Sequence, residues 1–277
     1  MLDLPESLDP HAVQAVAMDL DRTILGASLD LAPRLVAAVK AVAASGVVPI
    51  VATGRMLRSS RPFALELGVT APLICYQGAM IADPQSGQWL FHDPMPVELA
   101  RQVIAACRSR EQHCNVYVDD ELYVDELNLY ALEYARHAKL EAHPVGNLEQ
   151  WLTEPTTKIV VVGEPELLDA LQIELRQIFG RRLFIAKSLP FFLEVAQPEV
   201  SKGSALRWVC RRIAIDPANV VAFGDGANDI ELLQDAGLGI AVADADPVLL
   251  EHAQGIVPSV EQDGVARFLE ALVSARE

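Results

Sequence analysis

Basic residues are scarce in this chain of 277 residues: Lys and Arg number 22 against 38 Asp and Glu, for a formal net charge of −16. A surface of that sign repels nucleic acid and anionic lipid, which argues against a sequence-independent nucleic-acid binder. It repels phosphorylated metabolites as well. Any phosphate site must therefore be made locally positive by a metal ion, helix N-termini and a few basic side chains. Cysteine is sparse too. Cys75, Cys107, Cys114 and Cys210 show no CxxC spacing and no His pairing of the zinc type, so free thiols in a reducing, cytoplasmic setting are expected. His11, His92, His113, His137, His143 and His252 are scattered and offer no triad or metal cluster. No apolar run reaches the ~18 residues of a membrane span. The start Met1-Leu2-Asp3-Leu4-Pro5-Glu6 lacks the basic and then apolar pattern of a signal peptide.

What the chain does have is apolar residues, at 51% of the total, in a length that suits one large domain or two ordinary ones. From Val13 to Ala82 the pattern alternates strand and helix: strands at Val13 to Met18, Val47 to Val51 and Leu73 to Tyr76, helices at Pro33 to Ala44 and Leu57 to Leu67. Short apolar runs bounded by glycine and polar residues and separated by helices read as buried strands of a parallel sheet. After Asp83-Pro84 the texture changes to short strands and turns mixed with helices, and the regular alternation resumes at Ser201 with a helix to about Ile213 and a strand at Val220 to Phe223. The middle block is therefore expected to be a second domain inserted into the first.

Polar and acidic motifs sit at the ends of three of the apolar runs. Asp19-Leu20-Asp21-Arg22-Thr23 follows the first, Thr53-Gly54-Arg55 the second, and Gly224-Asp225-Gly226-Ala227-Asn228-Asp229 the strand at Val220 to Phe223. Ligand sites on parallel sheets lie beyond the carboxyl ends of the strands. Asp19 and Asp21, where the chain turns, can approach one cation by side chain or backbone carbonyl, and Mg²⁺ takes an octahedral oxygen shell at ~2.0–2.1 Å. A carboxylate positioned in this way can act as a nucleophile, and a second can supply and later accept a proton. Asp225 and Asp229 can complete the metal shell directly or through water, and Asp229 also stands where a helix N-cap belongs. The Thr53 hydroxyl and nearby backbone N–H groups suit a phosphate oxygen. Lys202 opens a helix, where the macrodipole disfavours a cation by ~0.3–1 kcal/mol, so a compensating anion is expected beside it. Taken singly, each motif has an ordinary reading: a capping turn, an N-cap threonine, a solvated lysine. Together they read as a phosphoryl-transfer site.

The ordered set DxDxT, TGR, a helix-opening SKG and GDGxND resembles the haloacid dehalogenase-like superfamily, most closely its Cof-type sugar-phosphate phosphatases with a large cap between the second and third motifs. The resemblance covers essentially the whole chain, including the Gln77-Gly78-Ala79 turn and the Glu261 to Gly264 segment. It implies an α/β fold: a doubly wound, Rossmann-like parallel-sheet core over residues 1–83 and 191–277, with an inserted α+β cap over 84–190. It implies a Mg²⁺-dependent phosphatase acting on a small phosphorylated metabolite, with no nucleic-acid or membrane partner. Asp19 would be the nucleophile and Asp21 the general acid/base. Thr53, Gly54, Arg55, Lys202 and Asn228 would hold the phosphoryl group. Asp19, the Asp21 carbonyl and Asp225 would bind Mg²⁺, helped by Asn228 or Asp229.

A phosphomutase with the same site, a phospho-Asp signalling module and a non-catalytic binding protein are the alternative readings. The inserted block and the DxD pair argue against the signalling module, and the intact acidic and lysine set against the binding protein. Three positions depart from the family pattern: Arg22 stands at a usual glycine, Gln77 at a usual asparagine, and Ala243-Asp244 at a usual Asn-Ala. If position 22 takes a positive φ, arginine there costs roughly 1–2 kcal/mol. Its compensation would be an ion pair with an acidic cap residue or a contact to the substrate.

Overall fold

The computed structural model describes residues 4–198 and 200–277; the first three residues of the Met1 to Glu6 start lie outside the described residues. In chain order the elements begin with β1 (Ala15–Met18), α1 (Pro33–Ala44), β2 (Val48–Val51), α2 (Leu57–Leu67), β3 (Leu73–Cys75), β4 (Met80–Ala82) and β5 (Trp89–His92). The middle of the chain adds α3 (Val97–Arg108), β6 (His113–Val118), β7 (Glu121–Val124), α4 (Leu129–Ala138), β8 (Ala142–Pro144), α5 (Leu148–Trp151), β9 (Lys158–Val162), α6 (Pro165–Phe179), β10 (Phe184–Leu189) and β11 (Phe192–Ala196). The last stretch holds α7 (Lys202–Ile213), β12 (Val220–Gly224), α8 (Ile230–Asp235), β13 (Leu238–Val242), α9 (Pro247–Leu250), β14 (Gly255–Val257) and α10 (Gly264–Arg276).

These elements form two compact units, one of the residues through Phe91 together with Ser201–Glu277, the other of His92–Val200. In the first, a parallel sheet has the order β14-β13-β12-β1-β2. A single parallel bridge between Ala52 and Ile74 carries it on to β3, which starts a smaller sheet β3-β4-β5. Every residue of β1, β12 and β13 is buried, the signature of strands covered on both faces, for which apolar side chains at all positions are required. From β1 the chain builds outward through β2 to β3, and from β12 it builds the other way through β13 to β14. The point where the order reverses lies between β1 and β12, and crevices at such points take ligands.

The second unit is a six-stranded sheet of order β10-β11-β9-β6-β7-β8, antiparallel except for the parallel β7–β8 pair. Alternate residues of the central strands, among them Val116, Val118, Ile159, Val161, Leu193 and Val195, build one core with residues of α3, α5 and α6. Tyr117 points from the other face, where its hydroxyl meets that of Tyr134 on α4 at 2.6 Å.

The boundaries expected at 83/84 and 190/191 both move later, to 91/92 and 200/201. Two pairings explain the shift. Strand β5 completes the β3-β4-β5 sheet, so the first unit runs past Asp83-Pro84. Strand β11 pairs with both β9 and β10, which ties it to the middle block. Among the described residues, no helix is long and apolar enough to cross a membrane.

Candidate active site

Register sets the stage for the site. Met18 stands level with Phe223 of β12 and Val51 of β2, so the next residues of three adjacent strands emerge together. The Asp19 N–H donates to the Phe223 carbonyl (3.1 Å), and the Ala52 N–H to that of Met18 (2.9 Å). Asp19 is thus level with Ala52 and Gly224, and Thr53 and Asp225 follow one residue later. All three side chains lie at the carboxyl ends of adjacent strands. A Cβ on Gly224 would fall 2.5 Å from that of Asp229, so only glycine lets the strand pass the Asp229 side chain this closely.

Lys202 is the centre of the cluster. It is the first residue of α7, whose N-cap Ser201 and Ser204 exchange a capping box. Its side chain is 1% exposed, and its Nζ lies 2.5 Å from Asp19 Oδ1 and 2.6 Å from Asp229 Oδ1. The anion expected beside a helix-opening lysine is thus a pair of carboxylates. Thr23 Oγ1 donates toward Asp19 Oδ2 (3.2 Å) and stands 3.4 Å from Asp225 Oδ1, linking the two strand ends. Asp19, Asp225 and Asp229 form a buried group in which one carboxylate oxygen from each lies within 4.8 Å of the others, a donor set of the hard-oxygen kind that suits Mg²⁺.

Several residues take places the sequence did not suggest. Asp229 makes no side-chain cap of α8. Its Oδ2 instead accepts from the N–H groups of Asp225 and Gly226, both at 3.1 Å. With Oδ1 on Lys202, both of its oxygens already have partners. The carboxylate of Asp21 does not join the acidic group: Arg55 grips it in bidentate fashion, Nε to Oδ2 at 2.7 Å and Nη2 to Oδ1 at 2.5 Å. Arg55 also stacks 5.4 Å from the Phe63 ring centre, so the guanidinium expected on phosphate is held by Asp21 instead. Asn228 donates from its side-chain amide to Gln77 Oε1 at 3.0 Å.

Gln77 itself has φ +60, and its amide group also packs where a Cβ on Gly54 would fall. It thereby braces the loops after β2, β3 and β12. Thr53 is fully buried, and its hydroxyl accepts from the Arg55 N–H at 3.1 Å. Arg22 has φ +62. Its ion pair is not with the inserted block but with Asp225 of its own unit, Nη1 to Oδ2 at 3.2 Å, and Nη2 donates to the Asp244 carbonyl at 3.2 Å. The bridging Thr23 and the Gln77 brace were both missed; the four-residue step from Asp19 to Thr23 was the one available signal.

Crowding acid groups in a dry site raises their proton affinity. Burial, and then Asp229, push Asp225 up to about 6. Burial also lifts Asp19 well above the carboxylate range, against the pull of Lys202. For Lys202, burial would lower the value, but Asp19 and Asp229 outweigh it and hold the ammonium protonated. Strongly raised proton affinities gathered in one cluster mark a candidate functional site, and a cation among the carboxylates would relieve the rise in theirs.

Comparison with known proteins finds relatives along nearly the whole chain. The haloacid dehalogenase-like hydrolase family matches residues 16–269 of the chain. A 5-amino-6-(5-phospho-D-ribitylamino)uracil phosphatase of Bacillus subtilis is 25% identical over 264 residues, 94% of this chain and 97% of that protein. A pyridoxal phosphate phosphatase of Escherichia coli is 29% identical over 268 residues, 92% of this chain and 97% of the relative. A crystal structure from Thermotoga maritima superposes with a TM-score of 0.85 at 29% identity, covering 94% of this chain and 97% of that one.

Proposed function

The chain belongs to the haloacid dehalogenase-like hydrolase family, and we propose that it is a Mg²⁺-dependent phosphatase that hydrolyses a small phosphorylated metabolite through an aspartyl-phosphate on Asp19. The observation that carries this reading is the buried group of Asp19, Asp225 and Asp229 with Lys202 at its centre. The two curated relatives are phosphatases by name, and each name carries a different phosphorylated metabolite. The chemical class common to both is a small phosphomonoester.

Asp19, Asp225 and the main-chain carbonyl of Asp21 would hold Mg²⁺, with Asp229 acting behind them through the N–H groups and the lysine it anchors. The ion supplies charge neutralisation on the phosphoryl oxygens and lowers the proton affinity of the carboxylates around it. In the first step a carboxylate oxygen of Asp19 attacks phosphorus and the bond to the leaving oxygen breaks. Asp21, as the acid, gives that oxygen its proton. In the second step Asp21, now the base, takes a proton from water, whose oxygen attacks phosphorus and frees Asp19 and inorganic phosphate. Lys202 and Thr53 steady the phosphoryl oxygens during both steps. The unit His92–Val200, inserted between two halves of the other, serves as a cap that selects the leaving group.

Phosphatase assays on a panel of phosphorylated sugars, nucleotides and cofactors test the reading. Asp19→Asn should abolish turnover while leaving the circular dichroism and the melting curve of the fold intact, and EDTA should stop the wild-type enzyme until Mg²⁺ is restored. Appreciable activity in Asp19→Asn, or full wild-type activity in excess EDTA, overturns it.

A further inference from the structure

We propose that Arg22 is a built-in counter-cation of the metal site: it neutralises Asp225 in the metal-free protein and thereby sets how tightly Mg²⁺ is held. The inference rests on the Mg²⁺ reading above. Three observations place Arg22 in this role. Its backbone sits at φ +62, a region that costs a side chain with a Cβ roughly 1–2 kcal/mol, so the position is kept against a local penalty. Its side chain is 62% exposed, yet it sets the guanidinium on the buried carboxylate of Asp225, Nη1 to Oδ2 at 3.2 Å. The Asp244 carbonyl holds the other end of the fork, and the Arg22 N–H is fixed on Leu25 at 2.8 Å.

A count of charge gives this contact its meaning. Three carboxylates gather in the cluster, Lys202 offsets one charge from between Asp19 and Asp229, and Arg22 offsets a second on Asp225. Arg22 takes Oδ2 of Asp225, while Oδ1 stands 3.4 Å from Thr23 Oγ1, the same hydroxyl that reaches Asp19. A divalent ion on Oδ1 therefore meets a carboxylate already paired with a cation. It can bind without displacing Arg22, but against the repulsion of the guanidinium. Coulomb interaction at this range, discounted for the exposed side chain, corresponds to about a three- to tenfold weakening of the ion's affinity.

The test is calorimetric titration of Mg²⁺ into metal-free wild-type protein, Arg22→Gly and Arg22→Gln, without substrate. Glycine suits φ > 0 and removes the side chain with its charge, whereas glutamine keeps a shorter polar side chain with an amide donor and removes the charge. Both variants should bind Mg²⁺ about three- to tenfold more tightly than wild type, and the difference should shrink at high salt. Unchanged or weaker affinity in both variants overturns the inference while leaving the metal reading intact. So does a wild-type affinity in Arg22→Gln beside a weaker one in Arg22→Gly, since that pattern assigns Arg22 a hydrogen-bonding role. Absence of Mg²⁺ binding in all three proteins overturns the metal reading itself, and this inference with it.

Discussion

Replacing Lys202 by methionine should separate the electrostatics of the site from its packing. Methionine fills most of the volume of the lysine stem, so the cavity contribution is small. What disappears is the ammonium that lies 2.5 Å from Asp19 and 2.6 Å from Asp229. Removing one partner of a buried pair typically costs 3–5 kcal/mol, because the charge left behind stays unpaired. Here two carboxylates are left facing each other, and the cheapest relief is for one to take a proton. Burial already raises the proton affinity of Asp19, so that relief grows as pH falls. The sign is clear: a carboxyl whose folded pKa lies above its unfolded value weakens the fold at high pH, and the penalty fades as pH drops below the folded value. We expect Lys202→Met to lose roughly 3 kcal/mol at pH 8 and clearly less at pH 5.5. Urea unfolding in EDTA, followed by circular dichroism, reads the loss free of metal binding. Asp19→Asn is the control, since it leaves Lys202 paired with Asp229. Stability of Lys202→Met within about 0.5 kcal/mol of wild type at pH 8, the range of an ordinary surface change, or a larger loss at pH 5.5, refutes the reasoning.

Asp229→Asn should destabilise by about 1–3 kcal/mol in the same assay, because one amide cannot accept from Lys202 on one side and from two N–H groups on the other; an unchanged urea midpoint refutes this. Asp21→Asn should lower kcat by about 10²–10⁴ with KM little changed, whereas a steep rise in KM at constant kcat would make Asp21 a binding group. Substitutions at exposed residues of His92–Val200 should alter preference among natural substrates yet spare hydrolysis of a small aryl phosphate; equal effects on both reject a selecting role. In that unit burial lowers the proton affinity of His113, so as pH falls the unfolded chain takes up its proton, near pH 6.5, before the fold does. Its contribution to stability is therefore complete above that pH and lost as pH falls through the folded value. Between pH 7.5 and 5.5 the melting temperature of the wild type should fall relative to that of His113→Gln, and an equal pH dependence in the two proteins removes His113 as a source.

The core elements were legible where the periodicity was long and its boundaries chemical. Pro33 opens α1 and the Ser45-Gly46 pair ends it, with Gly46 at φ +87, so both ends are written locally. The inserted unit was legible as a change of texture but not to the residue, since strands such as β5 and β11 are assigned by their pairing partners. Strand β8 was missed for a related reason. It is three residues, Ala142–Pro144, and its only ladder is the parallel one with β7, a contact between segments that carries no short-range sequence signal.

The site divides along the same physical line. The strand-end positions of Asp19, Thr53 and Asp225 follow from motifs placed after apolar runs, because a parallel sheet fixes where its carboxyl ends point. The partner of each charge does not follow. Asp21 and Asp19 are two residues apart, yet one is gripped by Arg55 and the other by Lys202, a choice made by loop geometry after the strand has ended. Asp229 stands where an N-cap belongs, but two N–H groups of the preceding loop lie closer to its carboxylate than those of the helix it precedes. Arg22 shows how far composition misleads about such a place. A chain with a formal net charge of −16 has every reason to spend its arginines on scattered surface acids, where pairs are worth about 0–1 kcal/mol. This one sits at a strained turn against a buried carboxylate. The local balance of charge in the site is thus a property of how three strand ends and one helix start meet, and the overall acidity of the chain has no bearing on it.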